Sequence, residues 1–515
     1  MGSASSDPSR SISRRSSSPR SRAPCANASV WYRSGLTTGE NVKRIVVIGA
    51  GITGLAAAYA LHQAKSEGQD VEWLLLERED RVGGKIHTER TGGFVIDGGP
   101  DCFLPEKPWV GQLAAALGID GDMLPTNDEH KKTFILSGGK LHLLPDGVMG
   151  LVPTKFVPFA TSGLFSWPGK LRMAADLVIP KRQDDGDETL ASFVRRRLGQ
   201  EALDKLAEPL IGGIHASDPE QMSLKATFPR FLDMEQKSGS LIRHMLKARK
   251  KMPAPPPPKP GRPKRTFFMS FVQGMSELTD SCAARLDPER VLTGVAVTGI
   301  EREGDGYLVK VAGRDPIKGS AVIVATEAHA AASLVEPIDS TMSEALASIP
   351  HVSSATVSLA YKKDEAGHDL DGFGFIVPSV EHRKIMASTW TSTKWSHRVP
   401  EGYVMLRAFV GGAHNQELAD LGEAEMTQMV RAELKDLMGI VAKPDLVRIF
   451  RWPKGMPQYT LGHLERVAKI ESRAAGHAGL LIAGGAYHGV GIGDCINAGQ
   501  KAAADAVAAT CSVAS

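Results

Sequence analysis

Apolar positions along this chain fall into strand-like runs and helix-like periods. Ile45–Ile48 is a continuous β-branched run, which predicts a buried parallel strand. The chain then turns through Gly49-Ala50-Gly51-Ile52-Thr53-Gly54, and Leu55 to Lys65 follows with Ala-rich helical spacing. A second apolar run, Val71–Leu76, stops at Glu77. Gly92–Ile96 reads as a strand with its turn, and Asp97–Asp101 as a tight loop. Helical patterns cover Glu188–Leu198 and Glu201–Leu210. Val291–Ile300, its hairpin partner Tyr307–Val311 and the run Ala321–Thr326 predict strands, the last returning to the central sheet. Ala355–Tyr361, Gly374–Val377, Ile385–Trp390 and Tyr403–Val410 are short alternating runs, which predict the antiparallel sheet of a second domain. Near the end, a strand stops at Gly484-Gly485 and a helix starts near Ile492. The fold class predicted is α/β: a Rossmann-like dinucleotide-binding domain interleaved with a substrate region of helices and antiparallel sheet.

Composition narrows this little. At 515 residues, two interleaved domains are expected. Hydrophobic content of 42% with 23% charged residues fits a soluble globular protein. The net charge of +3 gives no argument for nucleic acid as a partner. Cys25, Cys102, Cys282, Cys495 and Cys511 lie far apart, which predicts a reducing compartment and neither a disulfide framework nor a zinc site. No apolar run approaches the roughly 18 residues of a membrane span, so only peripheral membrane contact stays open. Residues 1–42 are Ser- and Arg-rich and read as a disordered basic tail, either an added leader or a start codon placed too early. A transit peptide has the same composition; the myristoylation pattern at Gly2 and Ser6 is a chance match. Met252–Arg265 is a Pro-rich basic insert that reads as a mobile loop.

The chemistry begins at the first turn. Strand, G-x-G-x-x-G and helix are the context of a dinucleotide fingerprint. Gly49 permits the turn, Gly51 admits a pyrophosphate, and Gly54 lets helix and strand pack closely. The helix N-terminus offers free N–H groups to the phosphates. Glu77, 23 residues beyond Gly54, is placed to accept from a ribose hydroxyl. Arg81-Val82-Gly83-Gly84-Lys85 follows, with a double glycine where backbone can pass close to a ligand.

With that R-x-G-G element the chain resembles the FAD-binding domain of the flavin amine oxidase and protoporphyrinogen oxidase superfamily. Gly147–Lys170 and Glu208–Ser217 (EPLIGGIHAS) resemble the bacterial porphyrinogen oxidases, particularly the soluble Gram-positive type. The resemblance runs from about Lys43 to about Ala509. It implies FAD-binding segments at 43–104, 226–330 (with the Pro-rich insert 252–265) and 461–515, a helical substrate or membrane-proximal region at 105–225, and a substrate-domain sheet at 331–460.

The resemblance also implies site residues. For FAD these are Gly49, Ala50, Gly51, Ile52, Thr53, Gly54, Glu77, Arg78, Gly84, Lys85, Gly98, Gly99, Pro100, Asp101, Val297, Trp452, Ala486, Val490, Gly491 and Ile492. For the substrate, Lys107 would face a propionate, while Ile214 and Phe409 would line the ring. Arg407 is a further carboxylate candidate, unless it pairs with an Asp in the sheet. Two positions depart from the family: Glu327 stands where Pro is usual, and Phe409 where relatives can carry Tyr. The implied reaction is oxidation of coproporphyrinogen III in haem biosynthesis, with oxygen giving hydrogen peroxide; protoporphyrinogen IX is the alternative substrate. The flavin drives it, with no catalytic side chain and no metal. His215, His414 and His488 are read as ordinary histidines, Arg195-Arg196-Arg197 as a solvated helix face, and Val152–Phe165 as core or channel wall. A ferrochelatase is an implied possible partner, and the cytoplasm the implied location. More remote alternatives are an amine oxidase and a non-catalytic binding protein resembling the GDP-dissociation inhibitors.

Overall fold

The computed structural model describes residues 43–149, 151–153, 155–213, 216–251 and 264–512. The basic tail 1–42 and most of the Pro-rich insert lie outside the described residues. Five parallel strands form the first sheet, in the order Val291–Leu292, Glu72–Leu76, Arg44–Ile48, Ala321–Val324, Leu480–Ile482. In chain order that is third, second, first, fourth, fifth, so the direction of winding reverses between Arg44–Ile48 and Ala321–Val324. A crevice for a ligand is expected outside the C-terminal ends of the strands at such a reversal. Ile45, Val46 and Val47 are fully buried, as a parallel strand covered on both faces must be. The helices Ile52–Ser66 and Ile492–Ser512 pack closely: a Cβ at Gly499 would lie 2.1 Å from the carbonyl oxygen of Thr53.

The second sheet has seven strands, ordered Leu446–Pro457, His351–Lys362, Tyr403–Gly411, Ile385–Trp390, Gly374–Ile376, Thr133–Ser137, Lys140–Leu143. It is antiparallel except where Gly374–Ile376 meets Thr133–Ser137. The helix Glu423–Met438 packs Met426, Val430 and Leu434 into the core beneath it. A third core belongs to the helical layer and runs from Phe159 through Phe193 and Leu206 to Phe231 and Ile242, past the boundary expected at 225.

Four local expectations change. Val291–Ile300 is two strands: Val291–Leu292 ends the parallel sheet, and Val297–Glu303 joins an antiparallel sheet with Gly306–Val311 and Ile317–Gly319. Between them, Gly294 (φ +67°) and Val295 donate to the carbonyls of Glu79 and Glu77. The expected α-helix at Glu201–Leu210 is a π-helix over Leu203–Gly212 with Pro209 inside it. Proline lacks the N–H and crowds the preceding turn, and wider winding relieves both. The stretch Phe267–Leu286, for which the family resemblance implies the helix that leads back into the nucleotide domain, is a strand, Met269–Phe271, then a helix, Ser276–Ala284. Nor is the Arg195–Arg197 run a solvated face. Only Arg195 is exposed; Arg196 bonds Glu235 and Glu188, and Arg197 is fully buried on Asp176. Successive helical residues point about 100° apart, so three in a row cannot all face water on a packed helix.

Candidate functional site

The site is built at the reversal point of the parallel sheet. Gly49 has φ +97°, and a Cβ there would lie 2.8 Å from the carbonyl oxygen of Ala325. A Cβ at Gly54 would lie 1.8 Å from the carbonyl oxygen of Gly49. Gly51 differs: a Cβ there meets nothing within 4 Å. Two glycines are therefore demanded by the fold, whereas Gly51 borders open space, a cradle for something else. Gly51 also N-caps the helix Ile52–Ser66 without any side-chain cap, which leaves first-turn N–H groups for an anion. Glu77 is fastened to this turn, accepting from Ala50 N–H at 2.7 Å and Glu79 N–H at 2.9 Å. Arg78 is exposed and pairs with Glu79 at 3.0 Å.

The double glycine lies directly on the turn. Gly83 N–H donates to the carbonyl of Ala50 at 2.8 Å, and a Cβ on Gly84 (φ +56°) would come 3.1 Å from the Cα of Gly51. Lys85 reaches onward: its Nζ donates to the carbonyl of Gly455 at 2.7 Å and stands 3.6 Å from the Glu327 carboxylate. Val297 begins the strand reached from Glu77 through Val295.

Gly98 and Gly99 are packed without room for side chains. A Cβ on Gly98 would strike the Phe450 ring at 2.5 Å, and one on Gly99 the carbonyl oxygen of Lys85 at 1.7 Å. The carbonyl of Gly98 accepts from Trp452 Nε1 at 3.0 Å, Thr356 Oγ1 at 2.8 Å and Arg407 Nη2 at 3.2 Å. Arg407 also donates to the carbonyl of Gly99 and lies 4.8 Å from the Phe409 ring. Buried under this loop, it is committed to carbonyls and does not offer itself to a substrate carboxylate. Asp101 turns its carboxylate inward, onto Lys394 Nζ at 2.9 Å and Trp395 Nε1 at 3.1 Å. Burial alone would raise its pKa; the charges of Lys394 and Arg407 outweigh it and hold the carboxyl well below the usual range.

The C-terminal motif closes the crevice. Gly485 accepts from Tyr459 Oη at 2.7 Å, and Tyr459 stacks on His463 with ring centroids 3.9 Å apart. His463 bonds the carbonyl of Tyr487 at 3.0 Å. Ala486 is buried, Val490 partly so, and Gly491 exposed just before the helix Ile492–Ser512. The hydroxyl of Tyr487 is buried without a hydrogen-bond partner. Lys107 is occupied here: its Nζ binds both carboxylate oxygens of Asp494 at 2.6 Å, in the first turn of that helix. Ile214 and His215 lie outside the described residues. His414 is exposed, and so is His488, which pairs with Glu471 at 2.6 Å.

Sequence reasoning missed the polar groups that join these segments. Lys394 and Trp395 belong to no motif, yet they anchor the loop through Asp101. Glu327 was visible only as a departure from a family pattern. Beside it, the rings of His329 and His351 meet edge to face at 5.0 Å. Burial drives His351 down to about 4, and Lys85 adds to the effect, so this ring is neutral at physiological pH. Among the described residues, no helix is long and apolar enough to cross a membrane, and no group of three His, Cys, Asp or Glu is placed to hold a metal ion.

Comparison with known proteins bears on this site. Residues 52–507 match the family of flavin-containing amine oxidoreductases. Coproporphyrinogen III oxidase of Bacillus subtilis is 35% identical over 91% of this chain and 98% of its own length. The chloroplastic protoporphyrinogen oxidase 1 of spinach (Spinacia oleracea) is 30% identical, over 90% of this chain and 84% of its own. A crystal structure assigned as a protoporphyrinogen oxidase, from Exiguobacterium sp. 255-15, superposes with a TM-score of 0.80 at 31% identity, covering 91% of this chain and 100% of that one.

Proposed function

The chain belongs to the flavin-containing amine oxidoreductase family, and we propose that within it this enzyme oxidises coproporphyrinogen III to coproporphyrin III, oxygen taking the electrons and hydrogen peroxide leaving. It is an FAD-dependent oxidoreductase acting on a porphyrinogen. The observation carrying the finer substrate is the near-complete alignment with the Bacillus coproporphyrinogen III oxidase. The residues fit FAD: open space over Gly51, an uncapped helix N-terminus beside it, and Glu77 held at the strand end. When bound, FAD supplies the acceptor for a hydride from the porphyrinogen.

The chain's own residues bind and orient. Gly49 to Gly54 and the helix after them take the pyrophosphate, Glu77 the ribose, and Val297 the adenine side. Gly84, Lys85, Gly98 to Pro100, Trp452, Ala486 and Val490 to Ile492 enclose the remainder. Asp101 acts through its anchoring of the loop, since its carboxylate is spent on Lys394. Phe409 lines the substrate ring. Lys107 meets a propionate only in competition with Asp494, which makes it a rim contact rather than an anchor.

Protoporphyrinogen IX is the second reading, favoured by the spinach relative and the Ser- and Arg-rich residues 1–42. The proposed location is the cytoplasm, with peripheral membrane contact supported by exposed Phe156, Val157, Trp167, Leu171 and Val178. A ferrochelatase that accepts the porphyrin is the proposed partner. The test is anaerobic preparation of both porphyrinogens, followed by porphyrin fluorescence and peroxide yield with the purified yellow protein. Faster turnover of coproporphyrinogen III supports the proposal, and faster turnover of protoporphyrinogen IX overturns it in favour of the second reading.

A further inference from the structure

The edges of the seven-stranded sheet are unlike. Lys140–Leu143, at one, has 4 residues. Leu446–Pro457, at the other, has 12, and among the described residues no strand pairs with its outer side. Leu446 to Trp452 is rich in β-branched and aromatic residues and has no glycine or proline. It pairs with His351–Lys362 in regular register, and the shift between Val352 and Ser354 lies past this run. Both of its faces are covered. Leu446 and Phe450 pack with Phe94 and Met405 on one, and Val447 and Ile449 pack over the core beneath the helix Glu423–Met438 on the other. Yet every residue from Leu446 to Trp452 is half-buried, where a strand covered on one face alone would alternate. The exposure comes from the edge.

Long edges are ordinarily guarded by charges, prolines or bulges. Arg448 and Arg451 are the charges of this run, and both are turned away from the edge. Arg448 Nε donates to the Glu89 carboxylate at 2.7 Å, and Arg451 Nη2 to the carbonyl of Leu421 at 2.7 Å. Beside the edge lies a groove of about 720 Å³, lined by Glu423, Thr427, Gln428 and Arg431 of the helix and by Val447 and Ile449 of the strand. Helix and strand run in opposite directions. Arg451 reaches Leu421, just ahead of the helix, and Arg431 donates to the carbonyl of Ala442, just ahead of the strand, at 3.3 Å. Glu423 therefore marks one end of the groove and Arg431 the other. Glu423 is exposed without an ion pair among the described residues, and Arg431 bonds a carbonyl rather than a carboxylate.

We infer that this edge is the interface with a second copy of the chain. Antiparallel pairing about a two-fold axis at Ile449 joins the two seven-stranded sheets into one. The same axis sets Glu423 of each copy opposite Arg431 of the other, at both ends of the groove. The charge order is thus complementary to itself. A strand of another protein would find the same main-chain groups, but a second copy also carries the matching charges at the matching spacing. The pairing does not depend on which porphyrinogen is oxidised.

The test is sedimentation of the full-length, FAD-loaded protein over a dilution series, with hydrogen exchange followed by mass spectrometry on the same samples. A dimer is expected, and its formation should slow amide exchange in residues 446–452. Glu423 and Arg431 lie outside the flavin crevice, so flavin content reports whether each variant is folded. Arg431→Glu sets acid against acid at both ends and should raise the dimer dissociation constant about tenfold. Glu423→Arg sets base against base and should do the same. The double variant Glu423→Arg with Arg431→Glu exchanges the charges and should restore wild-type association. A monomer at every concentration, its edge amides in fast exchange, leaves the edge to a strand of another protein and overturns the second copy. Slow exchange over 446–452 in a monomer assigns the edge to a segment of the same chain and overturns it as well. A dimer with unchanged exchange over 446–452, whose double variant does not recover, is joined through another surface and likewise overturns the proposal.

Discussion

The nucleotide crevice and the helical layer use polar groups in opposite ways. In the helical layer every charge of the central cluster is answered. Arg197 donates to the Asp176 carboxylate and to the carbonyls of Ile179, Pro180 and Gly239, while Asp176 also accepts from Ser240 Oγ and Ile242 N–H. In the crevice, groups are left over: an uncapped helix N-terminus, open space above Gly51, and a Tyr487 hydroxyl with no partner. Paired buried charges stabilise the helical layer, whereas an open, uncapped helix N-terminus suits an anionic ligand.

Substitutions can break this comparison. Arg197→Ala leaves Asp176 buried without its cation and should cost about 3–5 kcal/mol in denaturant unfolding, with flavin affinity of the folded fraction unchanged. A loss below about 1 kcal/mol would mean that the cluster is solvated after all. Gly51→Val should weaken FAD by about a hundredfold, read from retained visible absorbance, with melting of the flavin-free protein changed little because a Cβ there meets nothing within 4 Å. Gly54→Val, driven against the Gly49 carbonyl, should instead fail to fold. If Gly51→Val keeps its flavin, the crevice is misplaced.

Acid sharpens the comparison. Burial, the first cause at both sites, depresses His351 and His463 to about 4, so the unfolded chain takes up these protons first. Stability held above about pH 6.5 should be lost as pH falls from there toward about 4. Melting temperature against pH for wild type and for His351→Gln checks this; equal slopes would refute it. The smallest effect is expected at Lys107→Ala. Its ion pair with Asp494 is half-exposed, so stability should change by less than about 1 kcal/mol. KM for the porphyrinogen tests whether the lysine meets a propionate at all.

Legibility followed the range of the interactions. Strand, glycine turn and helix over residues 44–66 could be read directly, because hydrophobic period and steric limits on φ act within a few residues. The same holds for the helix starting at Ile492 and for most strands of the seven-stranded sheet. The π-winding at Leu203–Gly212 was hidden, since an α-period and a single proline do not announce how the turn widens. The split of Val291–Ile300 was hidden too, because its two halves look alike until they are assigned to different sheets.

By itself, the sequence determined where backbone had to turn tightly, which runs had to be buried, and the order in which cofactor-binding motifs arrive. Only the tertiary structure decided which charges those motifs would meet. Lys394 reaches Asp101 across 293 residues, and Lys107 reaches Asp494 across 387. Pairings at such separations leave no periodicity in the chain. They are set by which elements pack side by side, and the cost of burying an unpaired charge then settles which partners each side chain takes.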